Sequence, residues 1–238
     1  RGVRLVASYV LIDSAQRPGF NQRLERLGIP YRSMFEGHPE RNLPEIAPLL
    51  LEAPPADTEH GQIAGRTIAK LALEKPAVSH LSSDLGLPDL AEHFRAFHLV
   101  KLPANKQMIV RWYDTRVLPA WLGVLTPPQR RSFLMGIRSW RYFDRFGEGQ
   151  DIHVGDGDSA LEPRPQEPVS MPLELTEHQF AGLTRAAEVD ALLFRLREVL
   201  RDELKRVEAR TLHEFVSTHL DVSREHGLTT MKDYVRFA

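Results

Sequence analysis

Asp114 and Arg116 stand two residues apart in the stretch RWYDTRVLPAWLGVL, Arg111–Leu125. An acid and a base at that spacing, between an extended run and an apolar helix, suit two different jobs. The carboxylate can serve as a general base or metal ligand, or the pair can brace a corner of the fold. A catalytic carboxylate needs a second acid, base or ligand within reach, and the neighbouring sequence offers none. At the head of a helix an Asp side chain instead accepts an N–H of the next turn, worth about 1 kcal/mol. The spacing therefore predicts a cap at Asp114 and a clamp at Arg116, a structural corner. Pro119 predicts a fresh helix start just beyond it. A hydrolase built on Asp114 and nearby acids is the enzymatic alternative.

Other chemistry-bearing residues lack the spacing their chemistry needs. HEFVSTH sets His213 and His219 six apart, whereas a zinc-binding helix wants four. His93 and His98 are five apart, about 140° off a shared helical face. GDGDSALE, Gly155–Glu162, imitates a calcium loop without its regular acids and reads as a solvated loop. Neither a Gly-x-Ser-x-Gly elbow nor a phosphate-binding loop occurs. No catalytic residue, cofactor or metal is expected. The stretch 130–146, RRSFLMGIRSWRYFDRF, mixes arginines with aromatics, and basic plus aromatic can mean single-stranded nucleic acid. Its core alternates, however. Ile137, Ser139, Arg141 and Phe143 share one side and Arg138, Trp140 and Tyr142 the other, which reads as a strand with core aromatics and solvated arginines. Nucleic-acid binding through 130–146 is kept as the alternative function.

The elements that must position these residues follow from periodicity. Leu5–Ile12 reads as a buried strand ended by Asp13 and Ser14. Helix signals follow around Phe20–Leu27 with Gly28 as stop, around 62–74, and from Pro88 through Phe97. Short strands are expected at PYRSMFEG, IAPLLLEA, AVSHLSS, HLVKLP and KQMIVRWYD, the last two joined near Asn105. Thr176 and Gln179 form a capping-box pair. Val189, Leu192, Leu193, Leu196, Val199, Leu200, Leu204 and Val207 then predict one long amphipathic helix. Helices near Leu212–His226 and over TTMKDYVRF complete the chain. The fold class expected is α+β: a mixed α/β lobe over 1–146, an acidic Gly/Pro-rich linker over 147–172 and an all-helical lobe over 173–238.

The chain has 238 residues, 42% hydrophobic and 26% charged, with a formal net charge of −1 and no cysteine. That composition predicts a packed protein. It gives no global field for nucleic acid or an anionic membrane, and excludes disulfides and thiolate chemistry. No apolar run reaches membrane-spanning length. A start at Arg1 predicts a trimmed N-terminus.

In order, YVLIDSAQ, GIPYRSMFEGHPERNLPEIAPLLLE, SSDLGLPDLAEHFRAF and MIVRWYDTRVLPAWLGVLTPPQ carry a resemblance. The chain is similar to the adaptor or chaperone proteins of bacterial type VI secretion, a family long labelled as a domain of unknown function. Tyr31, Arg32, Ser33, Phe35, Glu36 and Gly37 match its second strand, and Tyr113, Asp114, Arg116, Val117 and Leu118 match its later corner. Thr115 stands where that family usually has proline. The resemblance covers roughly residues 5–146. It implies a non-enzymatic cytoplasmic loading factor that binds a cognate toxic effector and helps mount it on the trimeric spike protein. A few buried aliphatic anchors, about 1.5–3 kcal/mol each, would suffice for capture. Candidate anchors are Trp121 and Trp140 on the first lobe and Leu193, Phe194 and Leu196 on the helical one; each also fits an ordinary core position.

Overall fold

The computed structural model describes residues 6–154, 169–228 and 230–237, with backbone alone for 236 and 237. Leu5, the acidic run Gly155–Glu162 and much of the expected linker lie outside these residues. In chain order the elements are β1 (Ala7–Asp13), α1 (Phe20–Arg26), β2 (Arg32–Ser33), β3 (Pro48–Glu52), α2 (Glu59–Glu74) and β4 (Val78–Ser83). Next come α3 (Leu87–Ala96), β5 (Leu99–Leu102), β6 (Lys106–Ile109), α4 (Leu118–Val124), α5 (Pro127–Phe133) and β7 (Ile137–Phe143). The chain continues through β8 (Gly149–Ile152), β9 (Leu173–Glu174), α6 (Glu177–Val199), α7 (Arg201–Leu204), α8 (Ala209–Glu225) and α9 (Met231–Phe237). The class is α+β: helices interleave with mostly antiparallel strands as far as β9, and the elements after it are helices.

The chain divides into two compact units, Arg1–Gln179 and Phe180–Ala238. This boundary falls later than a linker at 147–172 would put it, for a physical reason. Within that segment β8 pairs with β7, and just beyond it β9 pairs with β5. Gln179 is then tied back by its side-chain amide, which donates to the Val124 carbonyl at 2.9 Å and to Gln129 Oε1 at 2.7 Å. The expected capping box is present: Gln179 N donates to Thr176 Oγ1 and Thr176 N to Gln179 Oε1.

In the first unit a six-stranded antiparallel sheet runs β2-β3-β1-β4-β7-β8. A second sheet, β6-β5-β9, holds the hairpin around Asn105, whose φ of 58° supplies the tight turn. Val10 and Ile12 of β1 face one way, against Phe20 and Leu24 of α1 and Ile68 and Leu71 of α2. Tyr9, Leu81 and Trp140 are cross-strand neighbours on the opposite face. There Trp140 meets Phe94, Trp112 and Phe133, with ring centroids 5.4, 6.2 and 5.8 Å away. These tilted and edge-on geometries suit the ring quadrupole.

Alternation in β7 departs from strict period two. Ile137 and Trp140 have opposite parity, yet both are buried. The register explains it: Ser83 pairs with Ile137 and Ser82 with Ser139, leaving Arg138 as the extra residue of a bulge. Arg138 turns out to Asp84 at 2.6 Å. A second departure follows β6, which ends at Ile109. Beyond it Trp112 and Tyr113 are consecutive and both buried, because the chain coils into a turn instead of continuing as strand.

In the helical unit Leu192, Leu193 and Leu196 pack with Leu212, Val216, Leu220 and Tyr234. The single long helix expected through Val207 breaks at Leu200, whose φ of −117° is not helical. Its apolar stripe breaks with it, and Val199 is 70% exposed. Arg224 ion-pairs with Glu188 across the bundle, and Gly227, at φ 74°, closes α8.

Two glycines of α2 offer a paired test. A Cβ at Gly61 would lie 2.0 Å from the Pro55 carbonyl oxygen, whereas one at Gly65 meets nothing within 4 Å. Urea denaturation of Gly65→Ala is expected to show stabilisation of about 0.5–1 kcal/mol. Gly61→Ala, despite the same helical propensity gain, is expected to lose about 2 kcal/mol or more, since backbone must move.

Candidate functional site

The polar corner is built by the end of β1 and the turn after β6. Asp13 closes a run of four buried apolar residues, Tyr9 to Ile12, and is itself 0% exposed. Its Oδ1 accepts from Ala15 N at 3.1 Å. Its Oδ2 accepts from Arg111 Nη2 at 2.8 Å and Gln16 Nε2 at 3.3 Å. Asp114, also buried, accepts from Arg116 through N and Nε at 3.0 Å each and through Nη2 at 2.6 Å. Gln16 Nε2 reaches Asp114 Oδ2 at 3.4 Å as well, and Arg111 Nη2 lies 3.7 Å from it. Two carboxylates thus share Gln16 and Arg111, with Arg116 gripping one of them at both oxygens. Such charge-assisted, bidentate bonds are the strong class.

Charge state follows from this placement. Burial pushes the Asp13 carboxyl upward, Arg111 pulls it back down and Asp114 pushes it up again, for a net rise. Burial lowers the Arg111 pKa, but Asp13 and Asp114 outweigh it, and the net shift is upward. His98 sits alongside, fully buried, stacked on Tyr113 at 5.2 Å and 5.5 Å from the Phe35 ring. Neither of its ring nitrogens meets a protein partner among the described residues. Burial, aided by His38 at 5.2 Å, lowers its pKa to about 4. Burial also raises the Tyr113 hydroxyl.

This geometry revises two sequence expectations. The helix α4 starts at Leu118 with no side-chain cap. Asp114 instead organises the turn before it: Oδ1 takes Arg116 N, and its carbonyl takes Val117 N at 2.9 Å and Leu118 N at 3.0 Å. The second acid missing from the local sequence is Asp13, brought in from the far end of the chain's first strand. A signal existed: a carboxylate ending so apolar a strand requires a counter-charge. Arg116 clamps Asp114 as its position suggests. With both oxygens of each carboxylate engaged in protein hydrogen bonds, the arrangement is suited to bracing three segments together.

The candidate partner anchors sort differently from the expectation. Trp121 is 0% exposed and Trp140 1%, both in the aromatic core, where Trp121 meets Phe133 at 5.9 Å. Leu193 and Leu196 are buried in the core of the helical unit. These four stabilise their own units and are withdrawn as anchors, because exposing them would cost the packing that holds the fold. Phe194 alone is free to meet a partner, at 61% exposed. It lines a groove of about 410 Å³ with Arg197, Glu198, Arg201, Leu204 and Lys205. In 130–146, Phe133 and Trp140 are buried, and Arg141 is bound to Asp151 at 2.6 and 2.8 Å. Among the described residues no group of three or more His, Asp or Glu could hold a metal, and no helix is long and apolar enough to cross a membrane.

Two measurements probe the corner. Arg111→Met leaves two buried carboxylates without their shared cation. Because Arg111 is partly exposed, the expected loss is about 2–3 kcal/mol at pH 7. The loss should shrink as acidification protonates Asp13, whose carboxyl burial holds above the ordinary carboxylate range, as read by urea denaturation across an acid pH series. His98 works in the opposite sense. Its folded pKa of about 4 lies below the ordinary 6.5. Its contribution is therefore present above pH 6.5 and lost as pH falls towards 4, on the order of 3 kcal/mol across that window. His98→Phe is expected to flatten this acid limb of the stability curve; His80 and His93, also lowered by burial, keep it from vanishing.

No curated protein and no protein of solved structure shows a significant match to the chain. A family profile described as "Domain of unknown function (DUF4123)" matches residues 8–132. That span contains Asp13, Arg111, Asp114 and Arg116, together with the turn after β6 and four of the six strands of the main sheet, β7 and β8 lying beyond it. It exceeds half of the 238 residues, and the chain therefore belongs to the DUF4123 family of domains of unknown function.

Proposed function

We propose that this protein is a non-enzymatic adaptor that binds a cognate type VI secretion effector in the cytoplasm and helps load it onto the trimeric spike protein. The observation that carries the reading is the distribution of uncovered apolar side chains. Phe194, Val199, Leu200, Val207 and Phe215 are exposed within the helical unit, half of the large apolar residues exposed among the described ones. That unit is a quarter of the chain, so its surface is unusually rich in groups that gain from burial by another protein. Each side chain covered in a complex contributes about 1.5–3 kcal/mol. The similarity of YRSMFEG and YDTRVL to the adaptor family supports the same reading, as does a corner whose carboxylates are engaged in holding the fold.

Co-expression with any toxin and spike protein encoded beside the gene tests it. A stable complex on size exclusion is expected. Phe194→Asp should weaken it about tenfold or more, with an unchanged melting temperature, because this side chain packs little in its own unit. Absence of a complex with any neighbouring toxin or spike protein, or turnover of a substrate by the pure chain, overturns the reading.

A further inference from the structure

A second surface lies in the first unit, where α1 and α2 run beside each other over a groove of about 460 Å³. Arg17, Arg23, Arg26, Arg66 and Lys70 line it, against Glu74 as the one acid among its lining residues. Five cations and one carboxylate leave a formal excess of four positive charges, in a chain whose net charge is −1. Charge is thus segregated, and this groove holds a concentrated positive field. Glu74 is already committed to Arg17 at 2.5 Å and to Lys70 at 3.6 Å. Arg23 reaches across to the Thr67 hydroxyl at 3.3 Å, which fixes one guanidinium at the rim. Arg26 and Arg66, one from each helix, are exposed and have no ion pair among the described residues.

The floor sets the class of ligand. Phe20 and Leu71 are buried beneath the groove and Ile63 is half-buried. A cationic rim above an apolar floor suits a ligand carrying both carboxylates and apolar side chains. A nucleic acid would want exposed rings for its bases to stack on, and Phe20 is packed into the core. Free phosphate would want converging backbone N–H groups, whereas at the head of α1 those of Gly19 and Phe20 are already given to the Glu45 and Arg17 carbonyls. Arginine forks match carboxylates in bidentate fashion.

We propose that the groove between α1 and α2 binds an acidic, partly apolar peptide segment of another protein. Its carboxylates pair with Arg26 and Arg66 while its apolar side chains rest on Ile63. The site is in a different unit from Phe194 and does not depend on the adaptor reading.

Fluorescence anisotropy with the full chain and a fluorescein-labelled dodecapeptide of Glu-Glu-Leu-Leu repeats tests the proposal. The same peptide with Lys for Glu, an oligothymidylate and inorganic triphosphate serve as comparators. The acidic peptide is expected to bind, weakening as salt rises from about 50 to about 300 mM. Arg26→Glu with Arg66→Glu should weaken it about tenfold or more, and Phe194→Asp should leave it unchanged. Should the reversed pair lower the melting temperature, Arg26→Gln with Arg66→Gln reads the same loss at smaller size. The proposal is overturned if the acidic peptide binds no better than its Lys counterpart. It is equally overturned if the folded variants bind as well as wild type, or if oligothymidylate or triphosphate displaces the peptide through the same two arginines.

Discussion

A carboxylate that ends a buried strand cannot remain alone, and the arrangement around Asp13 follows from that constraint. Removing its charge from water costs several kcal/mol unless a counter-charge and hydrogen bonds replace the solvent. Arg111 supplies the charge, from a position 98 residues further along the chain. Bringing Arg111 in also brings Asp114, whose own charge then requires Arg116. Gln16 spans the two carboxylates. The end of β1, the exit from the second sheet and the entry to α4 are thereby held to one point. Since removing either arginine strands a buried carboxylate, the network acts more through specificity of arrangement than through net stabilisation.

Around this point the aromatic side chains complete the packing. His98 lies flat on Tyr113, and Trp112 reaches Phe94, Phe133 and Trp140. Tryptophan is a frequent energetic anchor at protein interfaces, which made Trp121 and Trp140 attractive as partner contacts. In this fold their area is spent internally, between α3, α4, α5 and the sheet. The recognition proposed for this chain would then fall to two kinds of surface: apolar groups on the helical unit, and a cationic groove on the sheet-bearing one. The division is physically sensible, because apolar contacts supply affinity and charge steers and selects.

Much of the secondary structure was readable along the chain. The apolar run before Asp13, the Gly28 stop, Pro88 near the head of α3, the Thr176–Gln179 box and Gly227 each act within one turn, and each is where its local chemistry puts it. The start of α2 was less legible, since Thr58 caps through Gly61 N in a stretch with no apolar periodicity. The corner was half legible. Asp114 and Arg116 announced themselves by proximity, while Asp13 looked like a strand terminus.

Much of the local order therefore came from the sequence itself: where most helices and strands lie, that the class is α+β, and that Asp114 and Arg116 mark a turn. Those properties depend on hydrogen bonds and side-chain spacing over a few residues. Tertiary structure decided what pairs with Asp13, that a bulge at Arg138 turns both Ile137 and Trp140 inward, and that Phe194 stays outside while Leu193 goes in. It also decided that cations from two helices converge on one groove. Burial and charge pairing are properties of neighbours in space, and residues distant along the chain become neighbours only when the whole core closes.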